Sequence, residues 1–188
     1  MTSYLLAGPA EEPVSLAEAK AFLRVETDAE DALLTTLIGA ARLHVEAVTG
    51  RALLAQRWRL VLDAWPESGR VRLPLAPLLA VTEIAAIDDS GASHEIALAQ
   101  FGNEGDWLLV PRQVADMPVL QERQGIEIDY LAGFGETPEA VPADLRQAVS
   151  LLVAHWHEHR DGMAAPGSGA LMPAAFAALV APYRRVRL

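Results

Sequence analysis

VSLAEAKAFLRVETDAEDALLTTLIGAARLHVEAVTG, residues Val14 to Gly50, reads as two helices in tandem. Ser15 and Glu18 form an S-x-x-E capping box, in which the hydroxyl accepts from a first-turn amide and the carboxylate reaches back. Thr27 and Glu30 repeat the pattern and predict a second helix start. Asp28, Glu30 and Asp31 crowd that start, where negative charge meets the positive end of the helix dipole. Leu34, Leu37, Ile38, Ala41, Val45 and Val48 then recur at helical spacing as one apolar stripe. Gly50 supplies a left-handed stop. This stretch specifies packing and no chemistry.

Beyond Leu53 the period changes from 3.6 to 2. Trp58, Leu60 and Leu62 alternate with Arg57, Arg59 and Asp63, and Val71 and Leu73 alternate with Arg70 and Arg72. Leu79–Ile87, His94–Leu98, Trp107–Val110 and the alternation of Ile126, Ile128 and Tyr130 with Glu127 and Asp129 complete a run of strands. Asp88-Asp89-Ser90-Gly91 has the composition of a hairpin turn. Helical periodicity returns after Pro142, with Leu145, Val149, Leu152 and Trp156 as its stripe and Gly162 as its end. Asp161 to Ala170 has the Gly, Ala and Pro content of a loop, and Pro173 opens a last short helix, Ala174 to Ala181. Upstream of the helix pair, Gly8, Pro9 and Pro13 suggest an irregular arm over residues 1–13.

Strands and helices are thus segregated, which predicts an α+β fold. The expected organisation is one domain over residues 1–188. Helices at about 15–50 and 142–182 form its core, with an antiparallel β-insertion at about 53–131 and a terminal segment at 183–188.

The chain has 188 residues, is 52% hydrophobic and carries a net charge of −10. That apolar content excludes general disorder, and no apolar run approaches the roughly 20 residues that span a bilayer. Met1 to Ala10 lacks the basic and apolar regions of a signal peptide, so a cytosolic chain is expected. With no cysteine, disulfides and thiolate chemistry are excluded. The charge disfavours wrapping around nucleic acid, whose phosphates need clustered Lys and Arg. An acidic wall that lets DNA pass without holding it is compatible with it.

Few side chains offer chemistry. In His155-Trp156-His157-Glu158-His159, a helix puts His155 and His159 on one face and His157 elsewhere. These histidines suit the negative end of a helix; the alternative is a small metal-dependent enzyme using His155 and His159. Gly133-Phe134-Gly135 lacks the third glycine of a dinucleotide loop, and Glu136 and Glu139 would repel a pyrophosphate. Gly167-Ser168-Gly169 lacks the spacing of a nucleophile elbow. Asp88 and Asp89 offer too few oxygens for a calcium loop. Arg57, Arg59, Arg70 and Arg72 would form a basic stripe if their strands were neighbours, either a solvated face or a docking surface for an acidic neighbour, another copy included. No catalytic residue, metal site or cofactor is predicted.

Pro13-Val14-Ser15-Leu16-Ala17-Glu18-Ala19-Lys20-Ala21-Phe22-Leu23-Arg24-Val25 resembles the opening motif of phage head–tail connector proteins. The resemblance continues through Thr49-Gly50-Arg51, Gln56-Arg57-Trp58, Pro142-Ala143-Asp144-Leu145-Arg146-Gln147-Ala148 and Pro182-Tyr183-Arg184-Arg185. It implies a non-enzymatic structural adaptor of a long-tailed phage, prophage or gene transfer agent. Such adaptors form a ring, usually of twelve copies, between the portal and a tail-side connector, stopper or terminator protein. DNA passes through the ring without sequence-specific binding, no membrane is involved, and the expected location is the head–tail junction, with the host cytoplasm as the place of assembly. Tyr183, Arg184, Arg185, Val186, Arg187 and Leu188, expected to leave the fold extended because Pro182 stops the preceding helix, are the expected portal-binding segment, three arginines on an otherwise acidic chain; the alternative is a segment folded back on its own acidic body.

Overall fold

The computed structural model describes residues 1–159 and 174–184. Two compact units make up the chain: Met1–Pro9 with Ala55–Phe134, and Ala10–Leu54 with Gly135–Leu188. The described strands lie in the first unit and the described α-helices in the second, giving the α+β fold.

The helical unit contains α1 (Leu16–Leu23), α2 (Asp31–Thr49), α3 (Ala143–Glu158) and α4 (Ala174–Val180). At the head of α1, Ser15 and Glu18 make both halves of the capping box. The Glu18 carboxylate is held below its ordinary pKa by the Ser15 amide and hydroxyl, then by Arg146. Arg146, from α3, also donates to the Pro13 carbonyl at 3.0 Å, which ties the third helix to the entry of the first. The start of α2 departs from expectation. Its first residue is Asp31, its cap is Glu30, and no side chain caps it. The acidic side chains of this start have tertiary partners instead: Glu30, half of the expected box, meets His157 at 2.8 Å, and Lys20 binds Asp28 at 2.6 Å and Asp31 at 2.7 Å. Gly50 does end the helix, at φ 67°.

Leu34, Ile38, Ala41 and Val45 of α2 are buried, as are Leu145, Val149 and Leu152 of α3, against which α2 packs. Leu37 and Val48, expected on the same stripe, are only half-buried because they lie at its flanks. Among the described residues, α2 is the one helix long and apolar enough to cross a membrane. Its apolar stripe is instead covered within the unit. His44 extends the contact, its ring 5.9 Å from Trp156 of α3 and 5.7 Å from Phe176 of α4. At the far end of α2, Glu46 is buried: it accepts from the Leu53 amide at 2.9 Å and from Arg42 at 3.0 Å, and Arg42 also reaches Glu12.

The β unit holds two antiparallel sheets. The larger comprises β1 (Thr2–Ala7), β2 (Gln56–Leu62), β4 (Leu78–Ile87), β5 (Ser93–Glu95) and β8 (Ile126–Ala132), in the order β1-β2-β8-β4-β5. The smaller comprises β3 (Arg70–Arg72), β6 (Gly102–Glu104) and β7 (Trp107–Leu109), in the order β3-β7-β6. The expected irregular arm is therefore a strand over Thr2–Ala7, paired antiparallel with β2. Pro9 and Pro13 lie outside it, so the prolines bound the strand without interrupting it. The return strand is shorter than expected, ending at Glu95, and Leu98–Gln100 forms a 3-10 turn. In the large sheet Ile128 faces Leu60 on one side and Ile84 on the other, and all three are fully buried. In the small sheet Val71 pairs with Leu108, both buried.

Candidate functional site

The four arginines of the sequence reading do not form one stripe. β2 lies between β1 and β8, while β3 belongs to the smaller sheet and pairs with β7. Each pair of arginines has its own setting.

Arg57 and Arg59 converge on Asp129, whose side chain is 1% exposed. Arg59 binds it through two nitrogens, at 2.6 and 3.1 Å, and Arg57 adds a bond of 3.0 Å. Arg59 also meets Glu127, and Arg57 lies 3.8 Å from Glu83. Two cations and three carboxylates therefore share this patch, and it is not basic. The Asp129 hydrogen bond raises the Arg59 pKa, against the opposing effect of burial. Asp129 was legible only as an outward residue of an alternating strand. The available signal was the period-2 match between arginines on β2 and carboxylates on β8, which predicts cross-strand pairs once the strands are known to be neighbours.

Arg70 and Arg72 stand on the exposed face of the small sheet. Their guanidinium carbons lie 5.6 and 5.8 Å from the centre of the Trp107 ring, within cation–π range. Arg70 also pairs with Glu104.

The terminal segment begins differently from expectation. Tyr183 does not leave the fold extended: it closes a 3-10 turn over Ala181–Tyr183. Its carbonyl accepts from Arg51 at 3.1 Å and its hydroxyl donates to Asp144 at 3.3 Å. Burial, then Asp144, raises the phenol pKa. Arg184 is exposed, and Arg185, Val186, Arg187 and Leu188 lie outside the described residues. So do Gly162, the Asp161–Ala170 stretch with Gly167-Ser168-Gly169, and Pro173.

The histidines separate as helix geometry predicts. The His155 and His159 rings lie 4.5 Å apart, while His157 binds Glu30 on another face. Among the described residues no group of three or more His, Asp or Glu is placed to hold a metal ion. Asp88 is occupied within its own turn: it accepts from Ser90 and Ala92, meets His94 at 2.7 Å, and has its pKa lowered, by Ser90 foremost. In Gly133-Phe134-Gly135, Gly135 lies against Ala140 with no room for a Cβ, which gives the glycine a packing reason. Glu136 and Glu139 are both exposed.

These observations describe an α+β protein in which Arg57, Arg59 and Arg70 are each paired with a carboxylate. The chain belongs to the head completion protein family, which matches residues 13–185. It is similar to a chain in the neck of an empty gene transfer agent (GTA) particle computed with C6 symmetry, at 30% identity and a TM-score of 0.83. It is also similar to a chain in the virion of a native GTA particle, at 32% and 0.79, and to one in the neck of a native GTA particle computed with C12 symmetry, at 30% and 0.74. Each likeness covers 100% of this chain and 97% of the other. No curated protein matches.

Proposed function

We propose that this chain is the structural adaptor of a phage or gene transfer agent neck, a ring of twelve copies between the portal and the tail that closes the DNA-filled head. The observation that carries the reading is the combination of a family match over residues 13–185 with similarity to neck chains along the whole length. In this reading the two units act together as one connector domain. Residues 183–188 dock on the portal, hinged at the Tyr183 turn, and Arg70, Arg72 and Trp107 offer a surface to the tail-side protein. Arg57 and Arg59 take a lesser part, because Asp129 already holds them. The lumen is acidic on balance, with Glu136 and Glu139 as lining groups, so DNA slides through without being held.

Electron microscopy of the purified protein mixed with its portal tests the reading: rings capping the portal are expected, and portals that stay bare overturn it. Truncation after Pro182 would also remove the Arg51 and Asp144 contacts of Tyr183. The cleaner variant ends at Arg184, keeps those contacts, and should fold normally while tailed particles fail to form. Unchanged portal affinity in that variant moves the anchor elsewhere. Light scattering should find the isolated protein monomeric or weakly associated, because ring closure and portal contacts add avidity that single contacts lack.

A further inference from the structure

We propose that the outer edge of β1 is a docking surface for a second copy of this chain, an inference that rests on the neck-ring reading. Among the described residues β1 is hydrogen-bonded to β2 alone and forms one edge of the five-stranded sheet, so its other side presents backbone groups that no described strand pairs. Its side chains are apolar and open: Tyr4 is 45%, Leu5 51% and Leu6 45% exposed, and Met1 before them 75%. Tyr4 and Leu5 point to opposite faces by the strand period, and Leu6 is the extra residue at the register shift between Leu5 and Ala7. Apolar surface thus flanks the free edge on both sides.

Edges are ordinarily blunted by charge, proline or shortness. The opposite edge of the same sheet follows that rule: β5 is three residues, Ser93-His94-Glu95, all exposed and polar. β1 is six residues, Thr-Ser-Tyr-Leu-Leu-Ala, with no charge and no proline. A surface of that kind is held for a partner.

Charge and symmetry select the partner. At −10 per copy, net repulsion opposes contact between two of these chains, and it opposes contact least at an uncharged segment such as β1. The similar chains belong to necks computed with C6 and C12 symmetry, and cyclic symmetry sets like copies around one axis. A cyclic ring of that order needs a head-to-tail contact, because pairing β1 with β1 across a two-fold axis would stop at a dimer. The β1 edge of one copy therefore meets a different surface of the next.

The test places a diazirine analogue of leucine, nearly the shape of the natural side chain, at position 5 of the full-length chain in particle-producing cells. Irradiated particles should yield a ladder of products at multiples of the chain's mass, with the attachment site on the second copy outside residues 2–7. Links to another protein, links only between two β1 segments, or no link in particles that contain the chain overturn the proposal. Particles lacking the unmodified chain altogether would refute the neck reading itself. In parallel, Leu5→Lys should keep the melting temperature of the isolated protein, since residue 5 is half exposed. It should lower incorporation into particles by at least about tenfold, because a charge on a free edge opposes pairing. Unchanged incorporation of Leu5→Lys also counts against the docking role.

Discussion

Glu46 and Asp129 are both buried carboxylates bound by arginine, one in each unit. Glu46 finds its partners nearby in sequence: Arg42 is four residues back and the Leu53 amide seven ahead. Asp129 finds Arg59 and Arg57 across 70 and 72 residues. The first fastens a helix end to the chain that leaves it. The second fastens two strands whose neighbourhood exists only after the sheet has formed. A charge can thus serve as local punctuation or as a long-range clasp, and the two should fail differently when removed.

The reference for both is the apolar core. Leu34→Ala should destabilise the helical unit by ~2–5 kcal/mol, since Leu34 is fully buried. Leu37→Ala should cost less than half of that by urea denaturation, because Leu37 is only half-buried. Equal losses would mean that Leu37 at the flank is as well covered as Leu34.

Next comes Asp129→Ala, expected to cost ~2–3 kcal/mol, below the ~3–5 of a wholly buried broken pair. The discount arises because Arg57 and Arg59 keep Glu83 and Glu127 and reach water. Asp129→Asn should recover little, since the arginines need the negative charge. Glu46→Ala should cost ~1–3 kcal/mol, largely by orphaning the buried Leu53 amide. Here Glu46→Gln should recover at least half, because an amide oxygen can still accept from Leu53 while Arg42 keeps Glu12. Hydrogen exchange at Leu53 reads this directly. If Asn rescues position 129 as well as Gln rescues 46, the distinction between clasp and punctuation fails.

The smallest effect belongs to Ser15→Ala, which removes a helix cap and should cost ~0.5–2 kcal/mol at neutral pH. The Glu18 carboxylate has a lowered folded pKa, so its contribution is present above the ordinary carboxylate value of about 4.3 and lost as pH falls through the lowered one. The deficit of Ser15→Ala should therefore narrow in acid, once the pH has fallen below the ordinary carboxylate range far enough for Glu18 to take up its proton. A deficit constant from pH 7 to 3 would show that the hydroxyl acts without the carboxylate.

The same local-versus-distant contrast explains what the sequence disclosed. Ser15, Gly50, Pro142 and the α2 and α3 stripes act within a turn or two of themselves, so their patterns were readable. The Thr27–Glu30 box misled because Lys20 and His157, which engage Asp28, Asp31 and Glu30, approach from other elements. β1 was missed because its flanking Gly8 and Pro9 spoke louder than six apolar or neutral residues whose pairing partners lie fifty or more positions away. The arginine stripe failed for a topological reason: alternation fixes which way a side chain faces and says nothing of which strand lies alongside.

The grip of Arg51 on Tyr183 turns the chain terminus into a short leash. Six residues hinged at Pro182 could reach at most about 21 Å, whereas the four beyond Arg184 can reach at most about 14 Å, at 3.3–3.6 Å per residue. Any partner that Arg185 to Leu188 touch must come within that radius of Arg184, so if they dock on the portal as proposed, this contact sets a ruler on the gap. Mutating Arg51 would lengthen the leash without altering a single residue of the terminal segment.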